Sequence, residues 1–134
     1  MSLNPNILNG AALAYIGDAI YESYVRQHVL ESGMTDPNRL HKASVKYVEA
    51  KGQAYVIQHW LHKDENYLSE KEISIYKRGR NHKANTKAKN ATIGEYRQAT
   101  GFEALIGWLY LNEETKRLNE LIQYAFDLIE KRGE

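Results

Sequence analysis

Only two prolines, Pro5 and Pro37, occur in 134 residues, and runs of alternating apolar and polar residues rich in Val are few. Proline stops a helix interior and alternation marks a half-buried strand. With little of either, the chain is pushed towards helices joined by short loops, and an all-α domain is predicted. Asn9 is a good N-cap for a first long helix carrying Leu13, Ile16, Ile20 and Tyr24 on one face and stopped near Ser32 and Gly33. Asp36 followed by Pro37 launches a second helix through Leu40, Ser44, Tyr47 and Val48, with a break expected near Lys51 and Gly52. Val56, Ile57, Trp60 and Leu61 continue the spacing on a third helix. Ser69 with Glu72, and Thr92 with Glu95, form two capping boxes. The first opens a helix with Ile73 and Tyr76, the second a helix with Phe102, Leu105, Ile106 and Leu109. Asn112 is a candidate cap for a last helix carrying Leu118, Leu121, Ile122, Ala125 and Ile129.

With 43% hydrophobic and 26% charged residues, the chain suits one domain over residues 1–134. Eighteen Lys and Arg against 17 Asp and Glu give a net charge of +1, so any electrostatic signal has to be local. The absence of cysteine excludes a disulfide framework, a thiolate zinc site and a cysteine nucleophile. Met1 to Gly17 is uncharged, but it lacks a basic leader and is broken by Asn4, Pro5, Asn6 and Asn9. Nothing downstream approaches the ~18 consecutive apolar residues of a membrane span. A soluble cytoplasmic protein is expected.

Asp18 lies in Tyr15-Ile16-Gly17-Asp18-Ala19-Ile20-Tyr21, and no Lys or Arg precedes Arg26. Its helical neighbours one turn away are Ala14, Tyr21 and Glu22, none of which favours an ionised carboxylate. Glu103, in Gly101-Phe102-Glu103-Ala104-Leu105-Ile106-Gly107, likewise has no base within a turn. A buried ionised carboxylate costs several kcal/mol unless it is paired, hydrogen-bonded or bound to a metal. Two resolutions stand open at this point. Tertiary folding can bring each acid an arginine, a hydroxyl or solvent, or the two acids can converge on Mg²⁺, a hard cation that takes carboxylate oxygens. Gly17, Ala19, Ala104 and Gly107 are small enough to let two helices approach for that purpose.

From Lys77 to Lys89 the chain reads KRGRNHKANTKAK, with six bases and no acid, and its composition suits a mobile loop at about residues 77–91. Extended to Arg97, seven bases face Glu95 alone, a local +6 that leaves −5 for the remainder. Such asymmetry fits either a solvated loop or a polyanion-binding patch that gains affinity through counterion release. Beside a candidate Mg²⁺ site it equips the chain for phosphodiester chemistry. His59 and His62, at i and i+3, lack a third metal ligand, and Ser44 with His41 lacks a glycine-flanked serine elbow. Tyr15, Tyr21, Tyr24 and Tyr110 read as packing residues on helical faces.

The segments LAYIGDAIYESYVR around Asp18, PNRLHKASVKYVEAKGQA from Pro37 to Ala54, KRGRNHK from Lys77 and YRQATGFEALIGWLYL from Tyr96 together resemble Mini-III ribonuclease. This is the short branch of the ribonuclease III family that lacks a double-stranded-RNA-binding domain. The resemblance implies an all-helical, homodimeric endonuclease that cleaves double-stranded RNA with Mg²⁺ to 5′-phosphate and 3′-hydroxyl ends, its role being maturation of precursor 23S ribosomal RNA. It implies Asp18 and Glu103 as the catalytic, metal-binding acids. The wider family usually has further acids four residues before the aspartate and three before the glutamate; here Ala14 and Thr100 stand there, as in the Mini-III branch. The loop contacts to RNA are expected from Arg78, Arg80, Asn81, Lys83, Lys87 and Arg97, and a ribosomal protein is a further possible partner. Two other readings remain at this level: a non-catalytic double-stranded-RNA-binding module of the same fold, and a helical interaction domain docking through residues 115–129.

Overall fold

The structure, a computed structural model, describes residues 3–64, 66–82 and 91–132. A 3₁₀ turn at Pro5–Ile7 precedes α1 (Gly10–Leu30), α2 (Pro37–Val48), α3 (Ala50–His62), α4 (Glu70–Arg80), α5 (Ile93–Leu111) and α6 (Thr115–Arg132), with no strand among the described residues. The first amides of a helix have no intrahelical acceptor, and the expected caps supply one. Asn9 accepts from the Ala12 amide at 2.8 Å and Asp36 from the Arg39 amide at 3.1 Å. Ser69 with Glu72 and Thr92 with Glu95 form reciprocal capping boxes. Gly33, with φ +93°, takes the left-handed conformation that follows α1.

α5 occupies the centre and packs against α1, α3 and α4. Its residues Ala99, Gly101, Phe102, Ala104, Leu105, Ile106, Gly107 and Leu109 are buried, as expected of a helix apolar on all sides. Phe102 meets Tyr21 of α1 edge-on at 4.8 Å and stacks on Trp60 of α3 at 5.1 Å. Leu118, Leu121, Ile122, Ala125, Phe126 and Ile129 of α6 complete this core. Each fully buried Leu, Ile or Phe adds about 1.5–3 kcal/mol. No described helix is long and apolar enough to cross a membrane.

Four expectations are corrected. The α2–α3 break falls at Glu49, whose extended backbone separates the helices, while Gly52 lies inside α3 with its Cα against the Lys46 carbonyl. Asn112 closes α5, its side chain donating to the Trp108 carbonyl at 2.9 Å, rather than opening α6. On α1 the buried stripe runs through Leu13, Gly17, Tyr21, Val25 and Val29, leaving Ile16, Ile20 and Tyr24 half-buried. Finally, Lys77, Arg78 and Arg80 belong to the last turn of α4 and not to a loop. Bases there complement the carbonyl end of the helix dipole, so the same charges that suggested a loop support the helix.

Candidate active site

Asp18 and Glu103 sit where α1 crosses α5. A Cβ added at Gly17 would overlap the Glu103 carbonyl and lie 2.8 Å from the Gly107 nitrogen. One added at Gly107 would overlap the Leu13 carbonyl and lie 2.9 Å from the Ile16 Cγ2. The two backbones therefore touch at these glycines, and only residues without a Cβ permit it. Ala104 is buried near the same crossing, whereas Ala19 is exposed and takes no part. The contact brings the side chain following Gly17 beside the one on Glu103. Two acids that have no base near them in sequence have each other in space.

That arrangement has an electrostatic consequence. Burial pushes the Glu103 carboxyl up, and the adjacent Asp18 carboxyl pushes it further, to about 9. Gln53, from α3, acts against the shift, while Glu22 adds a small repulsion. Glu22 is itself engaged by Arg26 at 2.9 Å. Tyr21, buried and one turn beyond Asp18, donates its hydroxyl to the Tyr47 carbonyl at 3.0 Å. A hard dication fits this donor set, because it would let both carboxylates ionise together. Among the described residues no set of three or more His, Cys, Asp or Glu side chains converges.

The remaining expected site residues divide. Arg78 donates through Nη1 to the Asn6 carbonyl at 2.8 Å and the Leu8 carbonyl at 2.9 Å, tying the N-terminal turn to α4. It makes this tie from the last turn of α4, not from the loop in which it was expected. Trp108 completes the tie through Asn6 Oδ1 at 3.0 Å. Arg80 lies against the Tyr76 ring and donates to Asn81, the C-cap of α4. Both leave the bundle where α4 crosses α5, since a Cβ at Gly79 would lie 2.9 Å from the Thr100 oxygen and from the Gly101 Cα. This is one turn from Glu103. Arg97 is exposed on the first turns of α5, and Lys83 and Lys87 lie outside the described residues. Ala14 and Thr100 supply no carboxylate, Ala14 being buried and the Thr100 hydroxyl donating to the Tyr96 carbonyl at 3.0 Å.

His59 Nδ1 meets the Tyr55 carbonyl at 2.9 Å, and the Ser44 hydroxyl donates to the Leu40 carbonyl at 2.8 Å. Tyr15 and Tyr110, expected to pack, are 84% and 46% exposed. Sequence reasoning left the role of Gln53 open. Its signal was a polar residue between Gly52 and Ala54 on an otherwise apolar stretch of α3.

The sequence profile of the Ribonuclease III domain matches residues 11–114. A Mini-ribonuclease 3 of Streptococcus pneumoniae is 48% identical, the match covering 96% of this chain and 98% of that protein. Those of Enterococcus faecalis and Brevibacillus brevis are 50% and 45% identical, covering 95% and 97% of this chain and 92% and 94% of theirs. A crystal structure of a Fusobacterium nucleatum protein superposes with a TM-score of 0.78 at 30% identity, covering 90% of this chain and 93% of its own.

Proposed function

This chain belongs to the ribonuclease III family, in its Mini-ribonuclease 3 branch, and is an endoribonuclease; from that premise we propose that it is a single-domain, Mg²⁺-dependent nuclease that cuts double-stranded RNA at Asp18 and Glu103. The convergence of these two acids at the Gly17–Gly107 crossing carries the reading. Asp18 and Glu103 would hold the metal. Mg²⁺, when bound, supplies a Lewis acid for the scissile phosphate and lowers the pKa of a bound water. The chain's own contribution is positional. The crossing fixes the two carboxyls side by side, Tyr21 and Phe102 close the site from the core, and Glu103 would give up its proton on binding the cation. The products are 5′-phosphate and 3′-hydroxyl ends.

The duplex would be held largely by its A-form shape and phosphates. Arg80 and Asn81 end α4 where Gly79 packs on Thr100 and Gly101, the sequence that follows carries further bases, Lys83 and Lys87 among them, and Arg97 is exposed on α5. A homodimer suits an antiparallel duplex, because two-fold symmetry gives each strand its own site. Tyr15 supports it, being an exposed aromatic ring one turn before Asp18. The natural substrate on this reading is precursor 23S ribosomal RNA, matured in the cytoplasm.

The test is cleavage of a labelled RNA duplex in Mg²⁺ by the native protein, Asp18→Asn and Glu103→Gln. The expected loss is about a thousandfold or more in both variants, the several kcal/mol a positioned metal supplies, with duplex binding retained. Native-like cutting by either variant removes that acid from the site. Binding without cutting by the native protein means a duplex-binding module.

A further inference from the structure

A chain end is poorly held unless something ties it down, and a helix C-terminus frays because its last carbonyls lack intrahelical donors. Here two such ends are fastened to each other. Arg78, half-buried on the last turn of α4, donates through Nη1 to the Asn6 carbonyl at 2.8 Å and the Leu8 carbonyl at 2.9 Å. Hydrogen bonds from a charged donor are the stronger kind. Asn6 is gripped a second time, its Oδ1 accepting from Trp108 Nε1 of α5 at 3.0 Å. Leu8 packs on the small cluster of Leu13, Ala14, Ile75 and Ala104. The start of α1 rests on the same turn, since a Cβ added at Gly10 would overlap the Arg78 carbonyl and lie 2.7 Å from the Gly79 Cα. The segment before α1 is therefore a strap across the end of α4.

The turn it holds carries Arg80 and leads into Asn81. The Arg80 guanidinium lies 5.6 Å from the centre of the Tyr76 ring, and its Nε donates at 3.1 Å to Oδ1 of Asn81, the C-cap of α4. Tyr76 is itself buried on Gly101 of α5, where a Cβ would lie 2.6 Å from its ring. Tyr76 fixes one side of Arg80, and the backbone of residues 78–80 fixes the other. Arg80 is thus aimed only while that last turn stays helical and in place, and the strap is what grips it from outside the helix. From this geometry we infer that Arg78 and Asn6 are positioning residues for duplex RNA: the strap they fasten sets the direction in which Arg80 and Asn81 meet the RNA backbone. The role rests on the RNA contact proposed above for Arg80 and Asn81. It gives Arg78 an indirect part in binding, in place of the phosphate contact that its charge suggests.

The experiment measures binding of a labelled RNA duplex over a range of salt, together with KM and kcat for its cleavage and the urea midpoint of each protein. It compares the native chain, Arg78→Met, the strap variant Asn6→Ala with Leu8→Ala, all three substitutions together, and Arg80→Met. The strap variant changes no charge and leaves Arg78 in place; Asn6→Ala alone serves if it does not fold. The expected result is duplex binding weaker by roughly threefold or more in both Arg78→Met and the strap variant, the size typical of residues that act on a site from a distance. KM should rise accordingly with kcat at saturating duplex unchanged, and Arg78→Met should have no further effect once the strap is released. A direct phosphate contact gives the opposite pattern: Arg78→Met then costs the same with and without the strap and lowers the salt slope by about one. That result, or native KM and duplex affinity in the folded strap variant, overturns the inference. Native duplex affinity and salt slope in Arg80→Met remove the RNA contact at the end of α4, and the role of the strap with it.

Discussion

Glu72, buried, and Glu103, half-buried, are both glutamates on helices, and the fold treats them in opposite ways. Glu72 ends a capping box, its carboxylate accepting from the Ser69 amide at 2.8 Å and from Arg117 Nε and Nη2 at 2.9 Å. Burial pushes it up, but Arg117 and the Ser69 amide more than compensate and hold it below the usual glutamate range. Arg117 in turn donates to the Tyr67 carbonyl at 2.6 Å, meets Glu120 and stacks on Tyr67. Glu103 has an acid where Glu72 has a base, and its carboxyl rises to about 9. A satisfied acid is part of the scaffold, whereas an acid left beside another acid is, on the function proposed above, where a cation would bind.

The largest expected effect comes from closing the crossing that creates the unsatisfied pair. Gly107→Ala drives a methyl into the Leu13 carbonyl and to within 3.0 Å of the Gly17 nitrogen. Forcing α1 and α5 apart should cost about 3 kcal/mol or more, at the upper end for overpacked cores, and remove cleavage in whatever fraction remains folded. Urea unfolding with an activity assay on the same samples checks both, and a stable, active variant would show that the helices need not touch.

Breaking the satisfied acid should do the reverse. Arg117→Met strands Glu72, which is 5% exposed, and should destabilise the protein by about 3 kcal/mol, as expected for a broken buried pair. Cleavage per folded molecule should stay native. A selective loss of cleavage without a change in the urea midpoint would erase the distinction between the two acids.

The smallest effect sharpens the comparison by pH. In metal-free protein Glu103 keeps a proton that the unfolded chain loses near 4.5, so its contribution to stability declines as pH rises towards about 9. Glu72 is lowered, so its contribution is present above the unfolded value and lost as pH falls through the folded one. Glu103→Gln should therefore gain on the native protein in thermal unfolding with chelator as the solution turns alkaline. Glu72→Gln should flatten the acid limb instead. Parallel curves for Glu103→Gln and the native protein would deny the raised carboxyl.

Local chemistry was readable in the sequence and reciprocal packing was not. Asn9, Asp36, Ser69 and Thr92 announce helix starts because a cap involves only residues two or three apart. Gly52 misled because it looks like a breaker, yet it serves a close approach to the Lys46 carbonyl across the α2–α3 corner. The α1 stripe moved towards Tyr21, Val25 and Val29 because Ala14 and Gly17 admit α5 along that line. Asp18 and Glu103 were recognisable as acids without bases, but their contact depends on two helices, α1 and α5, that no local stretch of sequence brings together. Arg78 was read from its charge, and only the fold shows its guanidinium spent on Asn6 and Leu8.

The most direct measurement is the proton balance of metal binding. Mg²⁺ is titrated calorimetrically near neutral pH in buffers of different ionisation enthalpy, with native protein and Glu103→Gln. Release of about one proton per Mg²⁺ bound by the native protein, and its disappearance in Glu103→Gln, is the predicted result. Mg²⁺ binding without proton release, or the same release from Glu103→Gln, would contradict the claim that this acid waits protonated for the cation.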